Sequence, residues 1–308
     1  MHTINRGGNV DQASSLRELV NKENMARNSG SVKQRDGKNR SIRVMAITSG
    51  KGGVGKTNIA VNLAYALSMM NRKVMILDAD MGLANVDLVL GLTPKYNLYH
   101  VLTGEKSLSE IIVRGPGGMT ILPASSGIEA MADLSKGHKL ALLDELNSLR
   151  ERPDFMLVDT AAGIAGNVTY FNLAAKEIVV VTSAEPASMA DAYALMKILH
   201  QSYARKRFRL IVNMVKHHSE AMAVFKRLSN AMDHFLNIQI ELLGYVLQDD
   251  KFKEVIKRQK ALTELYPHSP ASKCIYGIAK KVCGENPEHT ENGSLVFFGE
   301  TGIRHGYG

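Results

Sequence analysis

The residues whose types and spacing point most directly to chemistry are Gly50, Lys51, Gly52, Gly53, Val54, Gly55, Lys56 and Thr57. They fit the pattern G-x-x-x-x-G-K-[ST]. Glycines at that spacing let successive backbone N–H groups curl around phosphate oxygens, and a helix opening there adds a favourable dipole. Lys56 is then placed to reach β- and γ-phosphates, and the Thr57 hydroxyl to ligand Mg2+. Two carboxylates follow at the ends of apolar runs, Asp80 after Leu77-Asp78-Ala79 and Asp159 after Phe155-Met156-Leu157-Val158. Ligands of open α/β sheets sit at such strand ends. Asp159 is placed to hold Mg2+ through water, whereas Asp78 reads as structural. Lys51 is a second lysine that an ordinary phosphate cradle does not need.

The elements around these residues read as strands alternating with helices. Residues 43–48 form a short β-branched run, the glycine loop follows, and an apolar-periodic helix spans about 57–70. Further apolar runs at 73–77, 155–158, 178–182, 209–212 and 243–247 read as strands buried on both faces, as a parallel sheet requires. The expected fold is a doubly wound, mostly parallel α/β sheet flanked by helices. Before it, Ala13, Leu16, Leu19 and Val20 lie at helical spacing behind Asn9 or Asp11 as an N-cap. A helix that short is marginal alone in water and needs a partner to fold against. Residues 28–41 read as a flexible linker. The expected organisation is an N-terminal helix in 1–27, that linker, an α/β domain over 42–284 and a disordered tail from 285 to 308, with a local contact at 295–298.

K-G-G-V-G-K-T resembles the deviant Walker A box of the MinD/ParA superfamily, and the resemblance runs from about residue 43 to 282. It implies an ATPase using ATP and Mg2+, in which Lys51 crosses a dimer interface to the partner's nucleotide. A homodimer would then form when ATP is bound, with a charge supplied in trans as by an arginine finger. The resemblance further implies that Asp80 orients or deprotonates the attacking water. Residues 159–163 match the second switch, and Asn213 matches the asparagine that reads the adenine edge. Asp80-Met81-Gly82-Leu83-Ala84-Asn85-Val86-Asp87 looks like the first switch of MinD-like proteins, unlike the D-x-D-P-Q of plasmid-partition proteins. Leu122-Pro123-Ala124-Ser125-Ser126-Gly127-Ile128 resembles the flagellar branch, called FlhG, FleN or YlxH. Asp11-Gln12-Ala13-Ser14-Ser15-Leu16-Arg17 is similar to that branch's D-Q-A-x-x-L-R element, which activates the GTPase FlhF. Asp11, Gln12, Ala13, Leu16 and Arg17 are therefore candidate partner-binding residues. Flagellar basal-body proteins or a flagellar transcription regulator are further implied partners. The alternatives are a MinD-type division-site regulator and a ParA-like DNA-partition ATPase.

Composition narrows the classes. The chain has 308 residues, 45% hydrophobic and 22% charged, an ordinary globular balance. Two cysteines, Cys274 and Cys283, exclude a disulfide scaffold and read as small apolar residues, unlike iron–sulfur ligands. Of the net charge of +8, five units come from residues 1–43, which hold nine basic and four acidic side chains. The body is thus nearly neutral, and nucleic acid is not the expected partner. No apolar run reaches the length of a membrane span and no secretory leader is visible, so the expected location is the cytoplasm. Peripheral contact with the inner membrane face is what the resemblance adds. Residues 271–283 carry an amphipathic stripe that reads first as a helix packed on the core.

Overall fold

β-Branched and aliphatic runs dictate the frame, because strands covered on both faces need apolar residues at every position. The computed structural model describes residues 42–81, 85–124, 134–285 and 297. All of them fall in one of the chain's two units, Ser41–Gly308. The expected N-terminal helix and linker, and the rest of the tail, lie outside the described residues.

The strands are β1 (Arg43–Ser49), β2 (Val74–Ala79), β3 (Val113–Arg114), β4 (Thr120–Leu122), β5 (Phe155–Ala162), β6 (Glu177–Thr182), β7 (Phe208–Val215) and β8 (Ile240–Leu247). They form one sheet in the order β3-β4-β2-β5-β1-β6-β7-β8. Only the β3–β4 pair is antiparallel. The chain returns from β4 to insert β5 between β1 and β2, which puts the ends of those three strands side by side.

The helices are α1 (Lys56–Ser68), α2 (Val86–Leu90), α3 (Leu98–Leu102), α4 (Leu108–Ile111), α5 (Lys136–Asn147), α6 (Gly166–Ala174), α7 (Pro186–Tyr203), α8 (His218–Leu236), α9 (Lys251–Arg258), α10 (Leu262–Leu265) and α11 (Pro270–Gly284). Strand periodicity of two divides the core between them. Met45, Ile47, Ile76 and Leu157 face α1 and α11. Val44, Ala46, Leu77, Met156 and Val158 face α5 and α6. β6 and β7 pack on α7 and α8.

The amphipathic stripe at 271–283 is the buried face of α11, with Ala271, Ile275, Ile278, Ala279 and Val282 inside the core. Cys274 and Cys283 are free thiols. Phe297 is also buried, stacked on Phe171, and its N–H donates to the Ala174 carbonyl at 3.1 Å. No described helix is long and apolar enough to cross a membrane.

At the opposite end of the sheet from the glycine loop, ion pairs tie four neighbouring strands. Arg43 on β1 meets Glu177 on β6 at 2.7 Å, and Arg209 on β7 meets Glu177 at 3.1 Å and Glu285 at 2.7 Å. Arg209 also donates to Glu241 of β8, directly opposite it in register. Both guanidinium groups are mostly shielded, and Glu177 is the carboxylate they share; without it Arg209 keeps Glu241 and Glu285, and Arg43 keeps Glu285 at 3.4 Å. Glu177→Ala is expected to lower the unfolding free energy by about 2 kcal/mol in urea titration, the scale of lost hydrogen bonds to charged groups, while Lys106→Ala, which removes the pair of Lys106 with Glu110 of α4 at 3.0 Å, changes it by less than about 1 kcal/mol.

Candidate functional site

The site is built where β1 hands over to α1. Residues 50–55 turn between Ser49 and Lys56, at the end of a strand flanked by β5 and β6. Gly55 caps α1 with φ +88°, a left-handed conformation that other residues avoid. A Cβ there would lie 2.5 Å from the Asn213 amide nitrogen. That nitrogen donates to the Val54 carbonyl at 2.8 Å. Asn213 is aimed at the loop by an irregularity in β7–β8 pairing between Val212 and Val215, where Met214 takes φ +59°. The structure therefore gives Asn213 a direct hold on the phosphate-loop backbone.

Behind the loop lies a small set of desolvated charges. Lys56 is buried, and loss of water lowers its pKa, opposed by the nearby Asp159 and Asp80 carboxylates. Asp159 at 1% exposure pairs in register with Asp78 across β5 and β2. Burial pushes Asp159 up to about 7, although the Thr57 hydroxyl donates to it and Lys56 is near; Asp80 adds to the rise. Burial and the charge of Asp159 push Asp78 up to about 8. Asp78 accepts N–H groups from Asp80 at 3.1 Å, Asn85 at 3.0 Å and Val86 at 3.1 Å. It thereby caps α2 and shapes the turn carrying Asp80, the structural part its position implied. Asp80 itself is half-buried beside Lys56 and Asp159.

These residues suit a bound magnesium nucleotide. The Asp159 Oδ1 atom is buried without a hydrogen-bond partner, although such atoms are nearly always satisfied. One carboxylate and one hydroxyl are what Mg2+ takes from a protein when phosphates and water complete its shell. Among the described residues no cluster of three or more His, Cys, Asp or Glu side chains forms an all-protein cage. Mg2+ would supply positive charge for phosphate oxygens there.

Lys51 behaves differently. Its ammonium pairs with Glu185, the residue capping α7, at 2.8 Å, with side-chain exposures of 40% and 66%. That hydrogen bond and charge raise the Lys51 pKa. An exposed pair of this kind is worth about 0–1 kcal/mol, so Lys51 is easily released. The pairing could not be read from sequence, because 134 residues separate its partners. The structure thus gathers Lys51, Lys56, Thr57, Asp80, Asp159 and Asn213 around one loop. Asp11, Gln12, Ala13, Leu16 and Arg17 lie outside the described residues, as do Gly82, Leu83 and Ala84 of the expected first switch and Ser125, Ser126, Gly127 and Ile128 of the flagellar-branch motif.

Comparisons with known proteins agree with this geometry. The AAA domain family matches residues 42–212. The chain is 40% identical over 264 residues to the antiactivator FleN of Pseudomonas aeruginosa, covering 86% of this chain and 94% of that one. It is 35% identical to the flagellum site-determining protein YlxH of Helicobacter pylori, with 87% and 89% covered. The fold is similar to that of the septum site-determining protein MinD of Pyrococcus horikoshii, solved in complex with Mg-ADP. There the TM-score is 0.66 and the identity 26%, covering 79% of this chain and 96% of that one.

The raised carboxylates have a signed consequence. An unfolded aspartate ionises near pH 4, whereas folded Asp159 keeps its proton up to about 7. The folded state binds more protons in between, so this contribution to stability is fully present below pH 4 and is lost as pH rises through 7. Metal- and nucleotide-free protein is expected to melt at progressively lower temperature from about pH 5 to about pH 8. Asp159→Asn should flatten part of that fall, with Asp78 responsible for the remainder.

Proposed function

Because the chain belongs to the flagellar FlhG/FleN branch of the MinD/ParA family, we propose that it is a Mg2+-dependent ATPase that dimerises on ATP and regulates flagellar number and placement. The observation that carries the reading is the phosphate loop set against a buried Asp159 whose Oδ1 lacks a partner. In this reading the loop amides and Lys56 hold the β- and γ-phosphates, Thr57 and Asp159 hold the metal, and Asp80 takes or orients the proton of the attacking water. The Asn213 carboxamide, braced on Val54, also reads the adenine edge. Lys51 leaves Glu185 and crosses to the γ-phosphate of a second copy, which makes dimerisation and hydrolysis one event.

The expected outcomes are specific. Asp80→Ala with ATP and Mg2+ should accumulate a dimer in size-exclusion chromatography while phosphate release stops. Lys51→Ala should remain monomeric in ATP and turn over roughly 10³-fold more slowly. Lys56→Ala should lose nucleotide affinity. A Lys51→Ala protein that dimerises normally contradicts the in-trans role.

The flagellar reading rests on the relatives and on the Asp11–Arg17 motif, and its partner is FlhF. Docking would order the apolar face of Ala13, Leu16 and Val20 and present Gln12 and Arg17 to the GTPase. A peptide of residues 1–27 is expected to accelerate GTP hydrolysis by FlhF, and Gln12→Ala or Leu16→Ala to abolish the effect while ATP turnover by the full chain persists. No acceleration at saturating peptide rules out this partner role.

A further inference from the structure

A buried polar node lies between the two elements that would sense nucleotide. Thr48 sits on β1 two residues before the glycine loop, and Thr160 directly follows Asp159 on β5. Their hydroxyl oxygens are 3.0 Å apart, and the Asn172 amide nitrogen on α6 donates to the Thr48 oxygen at 3.2 Å. The same nitrogen donates to the Val168 carbonyl at 2.8 Å, which orients the carboxamide. Exposure is 0% at Thr48, 1% at Thr160 and 0% at Asn172. No water competes for these bonds, and the Thr160 hydroxyl also lies 3.3 Å from the Ile47 carbonyl and 3.0 Å from the Ala161 carbonyl, so the three side chains form one buried network with the strand backbone.

The node sits where the strand pairing changes. Ile47 pairs with Asp159, but Ser49 pairs with Ala162, so β5 carries one extra residue against Thr48. Such a bulge re-aims the side chains beside it. The neighbouring Gly163 N–H then closes on the Ser49 carbonyl at 2.9 Å. Thr160 therefore opens the bulge immediately after Asp159, the residue that accepts from the Thr57 hydroxyl. Asn172 also carries a buried Oδ1 with no hydrogen-bond partner, one of several such atoms among the described residues. Packing alone would be served as well by leucine, without an orphaned acceptor.

We propose that Asn172 is a positioning residue for the nucleotide reaction, acting through the Thr48 and Thr160 hydroxyls to hold Asp159 in line with Thr57. It touches neither nucleotide nor metal. The inference rests on the ATPase reading above and adds to it a control point on α6. Groups that orient a metal-binding residue typically change metal affinity or activity roughly 10- to 100-fold when removed.

The test uses the full chain with Thr160→Val, Thr160→Ser, Asn172→Leu and the Val/Leu double variant. ATP turnover is measured well below each melting temperature, and ADP affinity with Mg2+ and with EDTA. Thr160→Val and Asn172→Leu should each lower kcat roughly 10-fold or more and shrink the gain in ADP affinity from Mg2+. Affinity in EDTA should stay within about twofold, since the phosphate loop is untouched. Thr160→Ser should restore both readouts, and the double variant should be no worse than the poorer single one, because both act along one path. Undiminished kcat and Mg2+ response in both single variants overturn the proposal, as does a serine variant as impaired as valine. Should Asn172→Leu fail to fold, Thr48→Val removes the hydroxyl that Asn172 meets, with Thr48→Ser as its rescue, and unchanged readouts in Thr48→Val overturn the proposal. A wild-type chain that neither binds nor hydrolyses ATP defeats the ATPase reading itself, whereas an active wild type with unaffected variants defeats only this inference.

Discussion

The desolvated carboxylate of Asp159 is the interaction on which the rest of the site depends. It lies in register with Asp78, and Lys56 and Asp80 also act on it. Lys56 is set between Asp159 and the half-buried Asp80, Asp78 lies beyond Asp159, and both fully buried aspartates respond by holding protons up to about 7 and 8. The arrangement is short of positive charge. In the proposed function a magnesium nucleotide supplies it, and the orphaned Asp159 oxygen is where it would do so. Inserting β5 between β1 and β2 is the topological step that creates this shortage, because it sets Asp159 beside both the phosphate loop and Asp78.

Around that centre, buried and exposed interactions divide by strength. The Asp78 cap on α2 and the Asn213 hold on Val54 are sheltered and fix the loop and first turn in place. The Lys51–Glu185 pair is exposed and weak. In the proposed function Lys51 changes partners between one chain and a second copy, and such a pair permits that. At the far end of the sheet, the Arg43, Arg209, Glu177 and Glu285 cluster locks the strands without touching the site.

The phosphate loop was legible because its glycines recur at a spacing that only the turn from strand to helix requires. The central strands were legible because they are apolar on both faces. Their ends were less so: β5 continues through Thr160 to Ala162 and β7 through Asn213 to Val215, where polar site residues interrupt the apolar pattern. At the edge, β8 starts at Ile240, ahead of the expected 243, because solvent-facing Glu241 hides its first turn of alternation. The helix after the loop ends at Ser68, two residues early, since Asn71 with φ +59° turns the chain towards β2. The short β3, β4, α2, α3 and α4 carry too few residues for periodicity to register. Pairings such as Lys51–Glu185 and Thr48–Asn172 join residues far apart in sequence, where no local signal exists.

The most direct measurement of the central claim is proton release when Mg-ADP binds at pH 7, read by calorimetry in buffers of different ionisation enthalpy. With folded Asp159 near its midpoint at about 7, the wild-type chain should release about half a proton per site more than Asp159→Asn. Equal release by the two proteins would mean that the Asp159 carboxylate is already ionised and gains nothing from the metal, contradicting the account.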